Sequence, residues 1–409
     1  MTLSRGRDLL AIPGPSIIPD RVLREMHRAA PNIYEGGLIE MTETVFADLA
    51  RVARTGSPVA VYIGNGHAGW EAAIANMLAP GDRALVLATG RFGLGWAATA
   101  RQMGVEVEVM DFGFRAGIDA GRVADRLRAD RGHAIRVVLA VQVDTASSVK
   151  NDIRELRAAL DDAGHPALLA VDSIACLGCD ALEMDAWGVD VAVAACQKGL
   201  MTPPGLAFTF QNARAMVERV RCPSPYWDWG PRVAPEAYYQ LFCGTAPTHH
   251  LYGLRAALDM IDEEGLAAVW RRHAVLARAV WAAVDAWGAG GALELNLGNR
   301  GLRSHAVTTI RTSPGDGTRL RRWCAEVAGL TLGIGLSVEG VDPDSVFRIG
   351  HMGHLNPPML LGALATIEAG LVALDIPHGR GGSAAAAATI AADAAERAGE
   401  LVVTGAEIG

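Results

Sequence analysis

Ala167-Leu168-Leu169-Ala170-Val171-Asp172, and the run from Val189 to Ala195 that continues through Cys196 and Gln197 to Lys198, decide how this chain reads. Each is a short, apolar, β-rich run of the kind that forms strands covered on both faces. Each also delivers one ionisable side chain at its carboxyl end. One strand–connection–strand unit separates them, so Asp172 and Lys198 can face the same crevice, and ligands of parallel sheets sit beyond the carboxyl ends of the strands. Burying a carboxylate costs several kcal/mol unless a cation meets it. The plainer alternative for Asp172 is a strand-end residue capping its loop.

Outward from this pair, similar runs occur at Val59 to Ile63, Ala84 to Ala88, Val105 to Met110, Arg136 to Val143 and Leu206 to Phe210. Between them lie apolar residues spaced three and four apart, such as Trp70, Ile74, Met77 and Leu78. The alternation predicts an α/β fold with a mostly parallel seven-stranded sheet in a large domain. Residues 256–287 read as one long helical stretch ending at Gly288, Gly290 and Gly291. The strand-like runs Ala306 to Arg311 and Val346 to Ile349, with helices at Arg319 to Ala328 and Pro358 to Val372, predict a smaller C-terminal α+β domain. The division is an N-terminal arm over 1–20, the large domain over 21–260, the small domain over 261–378 and an Ala/Gly-rich tail over 379–409.

Composition narrows the function classes. Half the residues are hydrophobic and 20% are charged, a balance that disordered chains do not show. The net charge is -8 and no Lys/Arg run exists to track a phosphate backbone, so a nucleic-acid partner is not expected. The apolar runs are strand-sized, and the first ten residues lack the apolar core of a signal peptide; neither a membrane span nor secretion is expected. Six scattered cysteines in a long chain read as reduced thiols of a cytoplasmic protein. Cys176 and Cys179 form a lone CxxC with no second pair, so no metal site is expected.

Of 37 Lys and Arg residues, only Lys150 and Lys198 are lysines. A chain that uses Arg for ordinary positive charge keeps Lys where an amine must lose its proton, which a guanidinium does not do. Lys150, beside Asn151 and Asp152, reads as a residue of a solvated face. Gly64-Asn65-Gly66-His67-Ala68-Gly69 follows a strand and opens a helix, a place where backbone N–H groups hold a phosphate. A dinucleotide would need an acid at the end of the next strand, and Ala84 to Ala88 ends in Thr89 and Gly90 instead. A single phosphate is favoured; a ligand-free glycine turn stays open, and His67 alone could be structural. An Asp able to keep a pyridine nitrogen protonated, a Lys able to form a Schiff base and a phosphate loop together suit pyridoxal phosphate.

Val171-Asp172-Ser173-Ile174, Gln197-Lys198-Gly199-Leu200, Thr202-Pro203-Pro204-Gly205 and Phe347-Arg348-Ile349-Gly350 resemble the class V aminotransferases of fold type I. Pro13-Gly14-Pro15 and Gly69-Trp70-Glu71-Ala72 are similar to the alanine–glyoxylate and serine–glyoxylate branch. The resemblance spans about residues 10–375. It implies transamination from a small amino acid to a small 2-oxo acid, with Lys198 carrying the cofactor and Asp172 on its ring nitrogen. It further implies Asn65, Gly66, His67 and Gln197 around the phosphate, Phe92 stacked on the ring, Ile174 under its other face and Thr145 near the ring hydroxyl or substrate. Arg348 would clamp the substrate carboxylate in a bidentate fork. Thr245 would reach the phosphate from the partner subunit of a homodimer, and Tyr34 would tune the amino donor. Phe242 stands where some relatives carry a phosphate-binding Tyr.

Four rival functions fit the sequence less well. A pyridoxamine–pyruvate transaminase shares the stretch at residues 348–353, but that branch has an acid in place of His67 and an extra Arg shortly before Arg348, and here no Arg lies between Gly333 and Phe347. A cysteine desulfurase needs a thiol on a mobile loop, whereas Cys324 reads as a helix position. A transcriptional regulator with an aminotransferase-like domain needs a DNA-binding module ahead of it, and a nicotinamide oxidoreductase needs the missing acid. The aromatic cluster Tyr226-Trp227-Asp228-Trp229 is expected to fill a dimer seam or line a substrate mouth.

Overall fold

The computed structural model describes residues 3–336 and 340–405. A seven-stranded sheet runs in the order Val59–Gly64, Gly205–Gln211, Val191–Ala195, Leu168–Asp172, Ile135–Val141, Arg83–Ala88 and Glu106–Asp111. Only Gly205–Gln211 is antiparallel to its neighbours. Leu168–Asp172 and Val191–Ala195 are adjacent and buried along their whole length, which is why they lack the alternation of a half-exposed strand. One face of the sheet packs Leu85, Val138 and Leu169 into a core with Leu156 and Leu254; the other packs Val86, Leu139 and Ala170 against Trp70, Ile74 and Trp96.

A second, five-stranded sheet runs in the order Leu9–Ala11, Leu330–Ile334, Val346–Gly350, Val307–Arg311 and Glu294–Leu295, with its own core around Trp287, Phe347 and Leu364. Its first strand comes from the chain's beginning and pairs in parallel with Leu330–Leu332. From there Ile12 to Ser16 crosses to the large sheet, where Ser16 N–H donates to the Gln197 carbonyl at 2.9 Å. The segment read as an arm is therefore built into both halves.

Two other expectations need correction. The long helix over 256–287 is two helices, Thr248–Glu264 and Leu266–Gly288, broken at Gly265, whose φ of +83° no continuing helix accepts. Lys150 is half-buried and ion-pairs with the buried Asp180 at 3.4 Å, which also meets His305 Nδ1 at 2.6 Å. In the aromatic cluster Trp229 is fully buried, while the partly buried Trp227 and Tyr226 cover the sheet edge, the Trp227 carbonyl accepting from Tyr62 and Asn76 and the Tyr226 hydroxyl donating to the Ile63 carbonyl. In the C-terminal segment, Gly382–Gly405 is helical; Ala386 joins the second core, Asp393 pairs with Arg271 and Arg278, and residues 406–409 lie outside the described residues.

Candidate active site

The carboxyl ends of three strands converge. Val59–Gly64 leads into Asn65, which caps the helix Gly66–Met77 by accepting the His67 N–H at 3.1 Å. That leaves the first-turn N–H groups and the positive end of the helix dipole facing outward. Leu168–Asp172 ends in the acid itself, and Val191–Ala195 runs on to Gln197 and Lys198. Asn65, Gly66, His67, Phe92, Thr145, Asp172, Ile174, Gln197 and Lys198 line one cavity of about 200 Å³. Among the described residues three larger clefts, of about 790, 550 and 530 Å³, open elsewhere, and none is lined by Lys198 or Asp172. Gly66 has no room for a side chain: a Cβ there would lie 2.5 Å from Ile174 Cδ1.

Each ionisable group is held by identifiable contacts. Asp172 accepts the Ile174 N–H on Oδ1 at 2.7 Å and the Trp70 indole N–H on Oδ2 at 2.8 Å. Burial nevertheless pushes its carboxyl up to about 7, those two donors and Lys198 pulling the other way. Burial, then the Arg348 guanidinium, pushes the Lys198 amine down to about 8, opposed by Asp172. Lys198 Nζ donates to the Pro13 carbonyl, and the Lys198 carbonyl accepts from Ser16 Oγ at 2.7 Å. Gly14, at a φ of +98°, is fixed by this approach, since a Cβ there would sit 2.3 Å from Lys198 Nζ.

Arg348 is buried on the Val346–Gly350 strand, its Nε donating to the Ile334 carbonyl at 2.7 Å and Nη1 to the Thr145 carbonyl at 2.9 Å. These carbonyls fix the plane of the fork, and burial pushes its pKa down to about 10. Two groups the sequence did not single out for the site support it. Trp70 read as a core position from its helical spacing, and nothing in that spacing signals its bond to Asp172. Asp144, fully buried, accepts the N–H groups of Phe92 and Gly93 at 2.8 and 3.2 Å and so pins the turn that carries Phe92.

Tyr34 and Thr245 do not line this cavity within one chain; both side chains are exposed, Tyr34 at 86%. Phe242 is fully buried against Phe46 and Tyr238, a packing residue here. Cys324 lies buried on the helix Asp316–Ala328, as its pattern indicated, and Cys176 and Cys179 are buried, with their thiols pushed up.

Comparison with known proteins agrees with this arrangement. The family model described as Aminotransferase class-V matches residues 20–320. A serine–glyoxylate aminotransferase of Methylorubrum extorquens is 36% identical over 396 residues, covering 94% of this chain and 96% of that protein. An L-aspartate–glyoxylate aminotransferase of Paracoccus denitrificans is 37% identical over 380 residues, covering 92% and 94%. The crystal structure of a pyridoxamine–pyruvate aminotransferase from Mesorhizobium loti superposes with a TM-score of 0.87 at 28% identity, covering 96% of this chain and all of that one. With a family match over most of its length and a fold type I architecture whose strand ends bring Asp172 and Lys198 into one cavity, this chain belongs to the class V aminotransferases and is an aminotransferase.

Proposed function

We propose that the chain uses pyridoxal 5'-phosphate, held on Lys198, to move the amine of a small amino acid of alanine or serine type onto a small 2-oxo acid such as glyoxylate or pyruvate. The observation that carries this is the convergence of Lys198, Asp172 and the capped helix start at Asn65 on one cavity, with Arg348 close enough to depress the lysine's pKa. The donor set fits the cofactor: N–H groups for a phosphate, a carboxylate for a ring nitrogen and an amine for an aldehyde. When bound, pyridoxal phosphate supplies an electrophilic aldehyde and an electron-withdrawing ring that stabilises charge at the substrate α-carbon.

The chain's own residues then divide the work. Burial and Arg348, which lower the Lys198 amine to about 8, suit it to bond the cofactor's aldehyde and, once free, to move a proton at the substrate α-carbon. Asp172 would hold a proton at the ring nitrogen. Asn65, Gly66, His67 and Gln197 would hold the phosphate, and Phe92, Ile174 and Thr145, which line the same cavity, would hold the ring. Arg348, its plane set by two carbonyls, receives the substrate carboxylate on its other N–H groups.

The exposed Thr245 and Tyr34 are read as the contributions of a homodimer, Thr245 completing the partner's phosphate site and Tyr34 bearing on the amino donor. The chain is further read as a cytoplasmic protein; among the described residues no helix is long and apolar enough to cross a membrane. The relatives named above act with glyoxylate or pyruvate by their names, which supports the acceptor class. The test is a donor screen that includes alanine, serine, aspartate and pyridoxamine against glyoxylate and pyruvate, following conversion of the cofactor's aldehyde form to its amine form. Conversion by a small amino acid is the expected result. Turnover with pyridoxamine alone would replace this reading with the pyridoxamine–pyruvate one.

A further inference from the structure

The helix Gly66–Met77 starts at the phosphate loop, yet one turn in it carries a side chain that reaches a different corner of the site. Trp70 is 1% exposed, and its indole N–H meets Asp172 Oδ2 at 2.8 Å. The same indole contacts two further groups proposed to grip the cofactor. The His67 ring lies 4.6 Å from it, centroid to centroid, and Phe92 meets it edge-on at 6.4 Å. Trp96 stacks behind it at 5.9 Å and 16°. A large, rigid ring packed on three sides has little freedom to leave Asp172. With Ile174 N–H on Oδ1 and Trp70 on Oδ2, the carboxylate plane is set from both ends before any ligand arrives.

We propose that Trp70 is a positioning residue of the transamination site, fixing the Asp172 carboxylate in the plane and ionisation state that the cofactor ring nitrogen requires and tying that acid to the phosphate loop through His67. The geometry gives the indole a role that packing alone would not. An apolar ring of similar size would fill the space but leave Oδ2 of a buried carboxylate without its donor, and hydrogen bonds to charged groups are the stronger ones. Loss of the donor favours the protonated acid, which cannot hold a protonated pyridine nitrogen. Trp70 also lines the cavity, and the role proposed for it runs through Asp172.

The proposal rests on the pyridoxal-phosphate reading, so the experiment begins with borohydride reduction of wild-type protein supplied with the cofactor. No adduct at Lys198 would sink that reading itself. Given an adduct, the affinity of the cofactor-free protein for pyridoxal phosphate is measured between pH 5 and 9 for wild type, Trp70→Phe, Asp172→Asn and the double variant. W70F is expected to bind about tenfold more weakly and to lose affinity at a higher pH as conditions turn acidic. In the D172N background the same substitution should change affinity little, since the partner it acts through is gone. An equal loss in both backgrounds, or an unmoved pH profile, would reduce Trp70 to packing and overturn the proposal. If W70F does not fold, the cycle is run with Trp70→His and its coupling to D172N is read the same way.

Discussion

Lys198 Nζ donates to the main-chain carbonyl of Pro13, so the first crossing segment of the chain holds the amine at the end of the Val191–Ala195 strand. Lys198→Ala should abolish turnover while pyridoxal phosphate still binds noncovalently, and borohydride should leave no adduct. Arginine at this position should not restore activity, since a guanidinium does not lose its proton. Turnover surviving in the alanine variant would remove Lys198 from the mechanism.

Covalent capture of the cofactor should follow the lysine's protonation. With burial and Arg348 holding the amine at about 8, capture by the cofactor-free protein should climb roughly tenfold per pH unit below that value and level off above it. The sign follows from the amine: the ammonium that dominates at lower pH has no lone pair to attack with. A rate independent of pH between 6 and 10, read by absorbance, would mean a different nucleophile.

Substituting Gly14 tests the crossing segment. Alanine there places a Cβ 2.3 Å from Lys198 Nζ on a backbone at φ +98°. Strain of this kind costs on the order of 1–3 kcal/mol, so Gly14→Ala should weaken cofactor binding about tenfold, measured by equilibrium dialysis. Wild-type affinity would show that the segment moves aside freely.

Arg348→Ala should raise KM for both the amino and the oxo acid, because both carry the carboxylate that the fork receives. The lost charge-assisted pair is worth about 2–5 kcal/mol in a desolvated site, which is about 30-fold or more. Lysine should recover little, as it lacks the fork. An unchanged KM would put the clamp elsewhere.

The ion pair outside the site makes a stability prediction. Asp180 is buried against His305 and Lys150, which hold its carboxyl well below the ordinary range. A lowered folded-state pKa stabilises above the unfolded value of about 3.9 and that contribution is lost as pH falls below it. Asp180→Asn should cost on the order of 3 kcal/mol at pH 7, and its deficit relative to wild type should shrink below about pH 4 in thermal melts.

Much of the site was legible in the sequence because strand ends obey a simple rule: an apolar run that terminates in Asp or Lys buries the backbone and projects the ionisable group past the sheet. Asp172 and Lys198 obey this rule, the loop at Asn65 to His67 is legible instead from glycines between a strand and a helix, and nine of the residues carried over from the motifs line one cavity. Trp70 escaped because an i, i+4 apolar pattern does not distinguish an indole that only packs from one that also donates. Leu9–Ala11 escaped because three residues are too few to show a period. The helix break at Gly265 was hidden by apolar spacing that continues on both sides of it. Tyr34 and Thr245 rest on motif position alone, and neither stands at a strand end or a helix start.

The strand Leu9–Ala11 has an implication for how the protein is made on the ribosome. Its partner, Leu330–Leu332, is synthesised more than three hundred residues later. All strands of the large sheet emerge before then, so the Asp172 and Lys198 strand ends can be assembled while the amino end still lacks its mate. The Leu9–Ala11 strand thus stays without its sheet partner while most of the chain is made, and the Arg348 strand, Val346–Gly350, emerges later still.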